Sequence, residues 1–329
     1  MSNKSDKAKL SSTQLIIKMR DEKGITFKYV DEHEADVFLS ERNNYLRTAA
    51  YRKLFPKHQL GPNANKYIDL DFAYLKELSI IDMHFRFLIM QMCSDIERAL
   101  CNKINSMVEA DPTTDGYDIV FRFLNANQYK ITLIERGISS PYIGDLICRY
   151  FTVQPIADPI TGKIKNKITA YNDCPSWVLT EVMTLGDIID FYKFYCDSRG
   201  IPSESTNVLQ IVRALRNGAA HNNCLLVNIN KKTAVSTQEI SNAVAALGTV
   251  AKSQRHKKLS SRSVLEFTTL LYEYDRLVKG DVRKKRIQQI NELFRVRMIR
   301  NKEYFINNPV ITTTYEFVLK MIDGFLPSV

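Results

Sequence analysis

The sequence predicts an all-α fold, a helical bundle with helical extensions at its N-terminal and C-terminal ends. In residues 69–108, apolar residues recur at every third or fourth position, which places them on one side of a long helix. Most other stretches repeat this spacing over shorter lengths. Residues 152–171 depart from it, and their Pro155, Pro159 and Gly162 favour a small hairpin or a loop insertion.

The N-terminal segment, residues 1–66, is predicted to hold two helices. Ser11, or the serine after it, can cap a short helix that ends before Gly24. A second helix is predicted from about Asp31, with apolar residues at helical spacing until Pro56 stops it.

A helical domain is predicted over residues 67–230, with an insertion near 111–172. Its first helix is the long pattern at 69–108, and two shorter helices are expected within 117–150. A further helix is predicted over 176–195, where apolar residues again form one side.

The next helix is predicted to open after Ser205 and Thr206, two residues suited to helix N-caps. At about 100° per residue its apolar residues form one stripe, made of Val208, Ile211, Val212, Leu215 and Ala219. The opposite side carries polar groups from Arg213, Arg216, Asn217 and His221. The helix therefore has one side for the core and another on which chemistry is possible.

Small residues at 218–220 keep this helix thin, so that another backbone could approach it closely. Gly218 costs the helix roughly 1 kcal/mol relative to Ala, so a reason for it is expected. Arg216 and His221 are five positions apart, too far round an ideal helix to share one small ligand comfortably. Either the helix distorts, or each residue works with a counterpart from elsewhere, such as a second copy in a two-fold dimer.

The C-terminal extension, residues 231–329, is basic, and the whole chain has a formal net charge of +10. Such a surplus favours an anionic partner, most commonly nucleic acid. Helices are predicted at 238–250, 263–278 and 315–325. The candidate RNA-binding residues are Lys252, Arg255, Lys257, Lys258, Arg262, Arg283, Lys284, Lys285, Arg286, Arg295, Arg297 and Arg300.

The 6 cysteines form no Cys-x-x-Cys pair and no Cys/His cluster at zinc spacing. They are typical of buried thiols in a reducing cytosol. The polar N-terminus is not followed by an apolar run of the kind found in signal peptides. We therefore expect a cytoplasmic protein, with no metal and no cofactor.

Four parts of the chain carry a family resemblance. They are residues 44–51 (NYLRTAAY), residues 82–86 with 96–100, residues 177–186, and residues 215–222 (LRNGAAHN). Together they resemble the Abi-like family of bacterial abortive-infection proteins, the AbiD/AbiF group. The pattern of Arg216, Asn217 and His221 is similar to the ribonuclease motif of HEPN domains. Asn222 stands where many members carry a second His, and Leu46 where many carry a second Tyr.

The resemblance implies a HEPN-type helical bundle and a metal-independent endoribonuclease of phage defence. RNA supplies its own nucleophile, the 2′-OH, so the enzyme need provide only proton transfer and charge stabilisation. His221 suits the proton transfer, and Arg216 suits the charge on the phosphate oxygens. Asn217, four positions before His221, can orient the imidazole ring. The resemblance also suggests that Glu97 orients Arg216 or Arg98, although a solvated Glu97 is equally compatible with the sequence.

The expected partners are RNA, as substrate and as a structured non-coding RNA that restrains the enzyme, and a second copy joined through the motif helix. The AbiF branch is associated with such a small RNA, which implies a toxin–antitoxin type of control. An alternative is a non-catalytic, dimeric RNA-binding or scaffold protein with a silenced HEPN site. A HEPN partner of a nucleotidyltransferase is a further alternative, but such partners are usually much shorter.

Overall fold

The computed structural model describes residues 9–157, 162–202 and 206–327, and it confirms a mostly helical fold. The α-helices are α1 (Ser12–Asp21), α2 (Glu32–Val37), α3 (Tyr45–Ala50), α4 (Phe72–Glu109), α5 (Asp118–Ala126), α6 (Tyr129–Glu135), α7 (Gly144–Tyr150), α8 (Ser176–Val182), α9 (Leu185–Ser198), α10 (Thr206–Ala220), α11 (Gln238–Ala246), α12 (Lys252–Leu259), α13 (Arg262–Leu277), α14 (Gly280–Asn291) and α15 (Pro309–Phe325). None of these described helices has the length and apolar character needed to cross a lipid bilayer.

A small β-hairpin is the exception to the helical fold. Strands β1 (Thr152–Ala157) and β2 (Ile164–Ala170) pair antiparallel, with Thr152 opposite Ala170 at one end. The hairpin confirms one of the two predictions for this stretch. Pro159, part of the predicted turn, lies outside the described residues.

The chain forms two compact units. The first combines residues 1–92 with residues 214–329, and the second consists of residues 93–213. The boundaries fall within the long helix α4 and within α10, so each of these helices has residues in both units. The predicted segments 1–66, 67–230 and 231–329 were drawn from sequence character and stay a prediction.

In the first unit, α1 begins as the sequence indicates, because Ser11 and Gln14 form a capping box. The single second helix predicted from Asp31 is wrong, since α2 gives way to a π-helical segment at Phe38–Arg42 and α3 then starts afresh. The Asn44 side chain causes the new start, because it accepts a hydrogen bond from the backbone N–H of Arg47 at 3.0 Å.

The core of the first unit joins residues that are far apart in the chain. Buried side chains from α1, α2 and the start of α4 pack together with Val227, Ile229 and Phe305. Around α4, the ring of Phe85 lies 4.8 Å from that of Phe267 in an edge-on contact. Helix α13, which carries Phe267, packs against α15, so the last helix folds back into the unit.

The second unit corrects two further predictions. Helices α5, α6 and α7 occupy the stretch expected to hold two helices. The helix expected over 176–195 is broken into α8 and α9, because Met183 and Thr184 are extended and the Thr184 hydroxyl donates to Asp187 at 2.6 Å. The ammonium of the buried Lys130 ties α6 to α9 by ion pairs with Asp187 and Asp190.

Candidate functional site

The motif helix α10 ends within the motif, at Ala220. Asn222 adopts the left-handed conformation, with φ of 55°, and donates its N–H to the Ala219 carbonyl at 3.0 Å. Asn223 donates in turn to the Gly218 carbonyl at 3.0 Å. These two bonds form a Schellman cap, in which asparagine is one of the few residues other than glycine that fits the left-handed position. The cap fixes the backbone on both sides of the motif histidine.

Arg216, Asn217 and His221 are linked through Asn217. The side-chain oxygen of Asn217 accepts a hydrogen bond from Arg216 Nη1 at 3.2 Å, and its backbone oxygen accepts the His221 N–H at 3.0 Å. Arg216 is half-buried, whereas the His221 side chain is exposed just beyond the helix. Asn217 therefore positions the arginine through its side chain, and its predicted action on the imidazole ring stays a prediction.

The apolar stripe of α10 is buried at Val208, Val212, Leu215 and Ala219, as predicted, while Ile211 is only half-buried. The N-cap prediction for Ser205 lies outside the described residues, and Thr206 is the first helical residue. The chain itself does not explain the glycine at 218. A Cβ at this position would lie 3.4 Å from Leu225 Cδ2, an ordinary van der Waals distance, so the segment after the motif leaves room for an alanine there.

The buried carboxylate of Asp82 is the centre of a hydrogen-bond network beside the motif. One oxygen accepts from the Tyr51 hydroxyl at 2.5 Å, from Arg86 Nη1 at 3.0 Å and from the Leu225 N–H at 3.0 Å. Burial raises the pKa of Asp82 to about 6, although the tyrosine, the arginine and the backbone donors lower it in part. Burial and the neighbouring carboxylate also raise the pKa of Tyr51.

Two guanidiniums hold the turn that follows the motif helix. Arg47 Nη1 donates to the Asn222 carbonyl at 2.5 Å, and Arg86 Nη1 donates to the Asn223 carbonyl at 3.4 Å. Three of the segments that carry the family resemblance, residues 44–51, 82–86 and 215–222, thus meet at this turn. The sequence indicated only one part of this arrangement. An acid and a base four residues apart, at positions 82 and 86, predict an ion pair on one side of a helix.

A polar cleft of about 790 Å³ opens next to this turn. Its polar lining residues include Ser40, Glu41, Arg42, Asn43, Asn44, Arg47, Lys76, Ser79, Arg86 and Asn222. Met83 and Phe87 add apolar surface from α4. The sequence does not predict this cleft, because its walls come from parts of the chain that are distant in sequence.

Glu97, in the second unit, lines a small pocket of about 280 Å³ together with Arg98 and Glu181. Arg98 Nη1 makes an ion pair with Glu181 at 2.8 Å, and this pairing raises the pKa of Arg98. Glu181 belongs to residues 177–186, the fourth segment of the family resemblance. The predicted action of Glu97 on Arg216 or Arg98 stays a prediction.

Arg213, on the polar side of α10, packs against a glycine in that same segment. A Cβ at Gly186 would lie 2.5 Å from Arg213 Cζ, so the guanidinium lies directly on the glycine backbone. Arg213 is exposed and its guanidinium ends a flexible side chain, so a larger residue at 186 could displace it at little cost.

Several cations predicted to bind RNA are paired within the chain. Ion pairs join Arg262 to Glu266, Arg283 to Asp275, Lys284 to Asp281, Arg295 to Asp323 and Arg297 to Glu77. Arg286 contacts the side chain of Gln289, and Arg255 is half-buried. Lys252, Lys257, Lys285 and Arg300 are exposed, as is Lys284.

Lys258 requires a correction, because it is buried. Its ammonium donates to the hydroxyls of Thr313 and Thr314, at 2.8 Å each, and so links α12 to α15. Burial, together with the charge of Lys257, lowers its pKa to about 8. A buried ammonium that is bound to two hydroxyls cannot contact RNA phosphates, so the prediction of Lys258 as an RNA-binding residue is wrong.

Comparison with known proteins adds one finding. A sequence model described as Abi-like protein matches residues 38–227, which is more than half of the chain. The matched range contains the network at Asp82, the polar cleft and the whole motif helix. Searches of curated proteins and of solved structures each found no match.

Proposed function

We propose that this chain, which belongs to the Abi-like protein family, is a metal-independent endoribonuclease acting in abortive-infection defence. Family membership suggests the defence role, and the chemistry of the motif supports the ribonuclease. The observation that carries the proposal is the placement of His221. Its imidazole is exposed at a helix end whose backbone is fixed by a Schellman cap, one turn after Asn217, which itself binds Arg216.

The proposed reaction is an attack by the RNA 2′-oxygen on the adjacent phosphorus. The bond from phosphorus to the 5′-oxygen breaks, which leaves a 2′,3′-cyclic phosphate and a 5′-hydroxyl end. His221 accepts the proton of the 2′-OH, a role that suits imidazole near neutral pH. Arg216 donates paired N–H groups to the phosphate oxygens as negative charge builds up. The leaving 5′-oxygen takes up a proton, which a second copy of the motif in a two-fold dimer can supply.

Control by a bound RNA is part of the proposal. A ribonuclease without restraint would damage its own host, and the exposed cations at Lys252, Lys257, Lys285 and Arg300 offer contacts for the phosphates of a structured non-coding RNA. Ion pairs within the chain occupy Arg262, Arg283, Lys284, Arg295 and Arg297, so we place the first RNA contacts on the four exposed cations named above.

The test is cleavage of a labelled single-stranded RNA by purified protein in EDTA. We expect wild-type protein to release products with 2′,3′-cyclic phosphate ends, and Arg216→Ala and His221→Ala to abolish release. The free energy of unfolding of each variant should stay within about 1 kcal/mol of the wild-type value, because neither side chain is part of the buried core. His33→Ala is the matched control, because His33 is exposed on α2 and lies outside the motif, and this variant should cleave normally.

Cleavage by the His221→Ala protein, or cleavage that needs a divalent metal, contradicts the proposal. RNA binding without any cleavage by the wild-type protein favours the alternative of a dimeric RNA-binding or scaffold protein with a silenced site.

A further inference from the structure

The polar cleft beside the motif turn has the size and position of a ligand subsite. Its volume of about 790 Å³ lies within the range of roughly 300–1,000 Å³ that is usual for small-ligand pockets. Asn222, which lines the cleft, directly follows His221 in the chain. The described lining of the cleft does not include His221 itself, so the cleft is a neighbour of the motif through Asn222, and a strand bound there would have to extend beyond it to reach the imidazole.

The charge of the cleft favours an anion. Its cations are Arg42, Arg47, Lys76 and Arg86, and Glu41 is the carboxylate among the described residues that line it. Lys76 and Arg86 are compensated by ion pairs with Glu34 and Asp82, two carboxylates outside the cleft lining. Arg42 is exposed, and Arg47 gives one N–H to a neutral carbonyl, so both keep charge available for a ligand.

Arg86 adds a buried donor to the cleft wall. It is only 7% exposed, and its Nε has no hydrogen-bond partner among the described atoms. A buried N–H without a partner is unfavourable, so native proteins usually satisfy it with a ligand or water. The guanidinium is held in place by Asp82, which keeps its orientation fixed before any ligand arrives.

The cleft also exposes an aromatic ring. Phe87 is 56% exposed and Met83 is 36% exposed, although both lie on α4, whose other side is buried in the core. An exposed phenylalanine next to arginines is the combination that proteins use for single-stranded nucleic acid, with bases stacked on the ring and phosphates on the cations.

We propose that this cleft binds single-stranded RNA, with one phosphate held by Arg42 and Arg47 and the adjacent base stacked on Phe87. The inference rests on the proposed function, and it names the place where the substrate strand lies beside the motif turn. The cleft thus serves the substrate, whereas the C-terminal cations serve the restraining RNA. A single strand is required, because only unpaired bases offer a free ring face.

The experiment measures binding of a short, fluorescein-labelled single-stranded RNA by fluorescence anisotropy. Full-length His221→Ala protein is used in EDTA, so that the probe stays intact. We expect Arg42→Gln and Phe87→Ala to weaken binding by about tenfold each, the usual scale for one charge-assisted contact and one stacked base. Arg42→Gln should also reduce the slope of log Kd against log salt by about 0.7, the value for one phosphate contact on a single strand.

The matched controls are Arg122→Gln and Phe121→Ala, an exposed arginine and an exposed phenylalanine on α5 in the second unit. Both should bind the probe as the parent protein does. Equal affinity of the cleft variants and the parent overturns the inference, and so does a parent protein that does not bind the probe. Light scattering is measured in parallel, because loss of a dimer in Phe87→Ala with unchanged RNA affinity would assign the cleft to self-association instead.

Cleavage by wild-type protein separates this inference from the proposed function. If wild-type protein cleaves RNA and the cleft variants bind the probe as the parent does, the ribonuclease proposal is supported and the cleft is not its RNA site. If binding depends on Arg42 and Phe87 but wild-type protein does not cleave, the cleft is supported as an RNA site and the ribonuclease proposal is contradicted.

Discussion

The carboxylate of Asp82 accepts a hydrogen bond from the Leu225 N–H at 3.0 Å, across 143 positions of the chain. Leu225 comes four residues after His221, so this bond joins the long helix α4 to the segment that leaves the motif. Tyr51 and Arg86 bind the same carboxylate oxygen, while the other oxygen has no partner among the described atoms. Asp82 therefore helps to position the segment after the motif, together with Arg47 and Arg86, which bind the carbonyls of the turn itself.

Asp82→Ala should destabilise the fold strongly. The change leaves the buried guanidinium of Arg86 without its counter-charge, which usually lowers the free energy of unfolding by about 3–5 kcal/mol. Urea unfolding followed by circular dichroism measures the loss. The matched control is Asp281→Ala, because Asp281 is exposed and its pair with Lys284 should be worth less than about 1 kcal/mol. Similar losses in the two variants would contradict the assignment of Asp82 as the centre of the network.

The pH dependence of stability should also report on Asp82. Burial raises its pKa from 3.8 to about 6 in the folded protein. Between these values the unfolded chain has released a proton that the folded chain still holds, so raising the pH favours unfolding. The contribution is fully present below about pH 4 and is lost as the pH rises through 6, by about 3 kcal/mol for a shift of this size.

Asp82→Asn cannot titrate and should lack this loss. The test is the difference in unfolding free energy between wild type and variant, measured in urea from pH 4 to pH 7 at constant ionic strength. The wild type should lose stability relative to the variant across this range. A difference that stays constant, or changes in the other direction, would show that the buried carboxyl keeps an ordinary pKa.

A two-fold dimer that pairs the motif helices is a third prediction. Ala220 is exposed at the end of α10, and its small side chain leaves room for a second backbone. Ala220→Arg should therefore give a monomer and remove cleavage, with the fold intact by circular dichroism. Ala126→Arg, at an exposed alanine that ends α5, is the matched control and should stay dimeric. Light scattering at micromolar concentration decides the matter, and a fully active wild-type monomer would contradict the prediction.

The sequence predicted the long helices well, but it did not predict where helices break. Helices α4 and α10 were predictable, because apolar spacing over many turns leaves little choice of face. The break before α3 was missed, since one residue, Asn44, both fits a continuing helix pattern and caps a new helix. The break at Thr184 has the same origin in local side-chain bonding.

The candidate site shows the same limit. Its motif was visible, because Arg216, Asn217 and His221 lie close together in the sequence. The network at Asp82 was not, since its partners Tyr51 and Leu225 are distant in the chain and only tertiary packing brings them together. The burial of Lys258 was equally invisible, as nothing in a basic run distinguishes the lysine that turns inward.

The last prediction concerns the restraining RNA. If the exposed cations of the C-terminal extension hold RNA phosphates, as we propose, protein purified from cells that carry its native locus should contain nucleic acid, visible as high absorbance at 260 nm. The interaction is mainly electrostatic, so binding should weaken steeply with salt. Replacing Lys257 and Lys285 with Gln should reduce the slope of log Kd against log salt by about two, roughly one for each phosphate that the variant no longer neutralises.

The control for this pair is Lys53→Gln with Lys193→Gln, which removes the same charge from exposed sites outside the extension. If affinity depends on net charge alone, the two double variants will bind RNA equally. If these lysines contact the RNA, only the Lys257 and Lys285 variant will bind it more weakly. That variant should also be the more toxic to its host, because its proposed ribonuclease would no longer be restrained. Protein that emerges free of RNA would contradict this form of control.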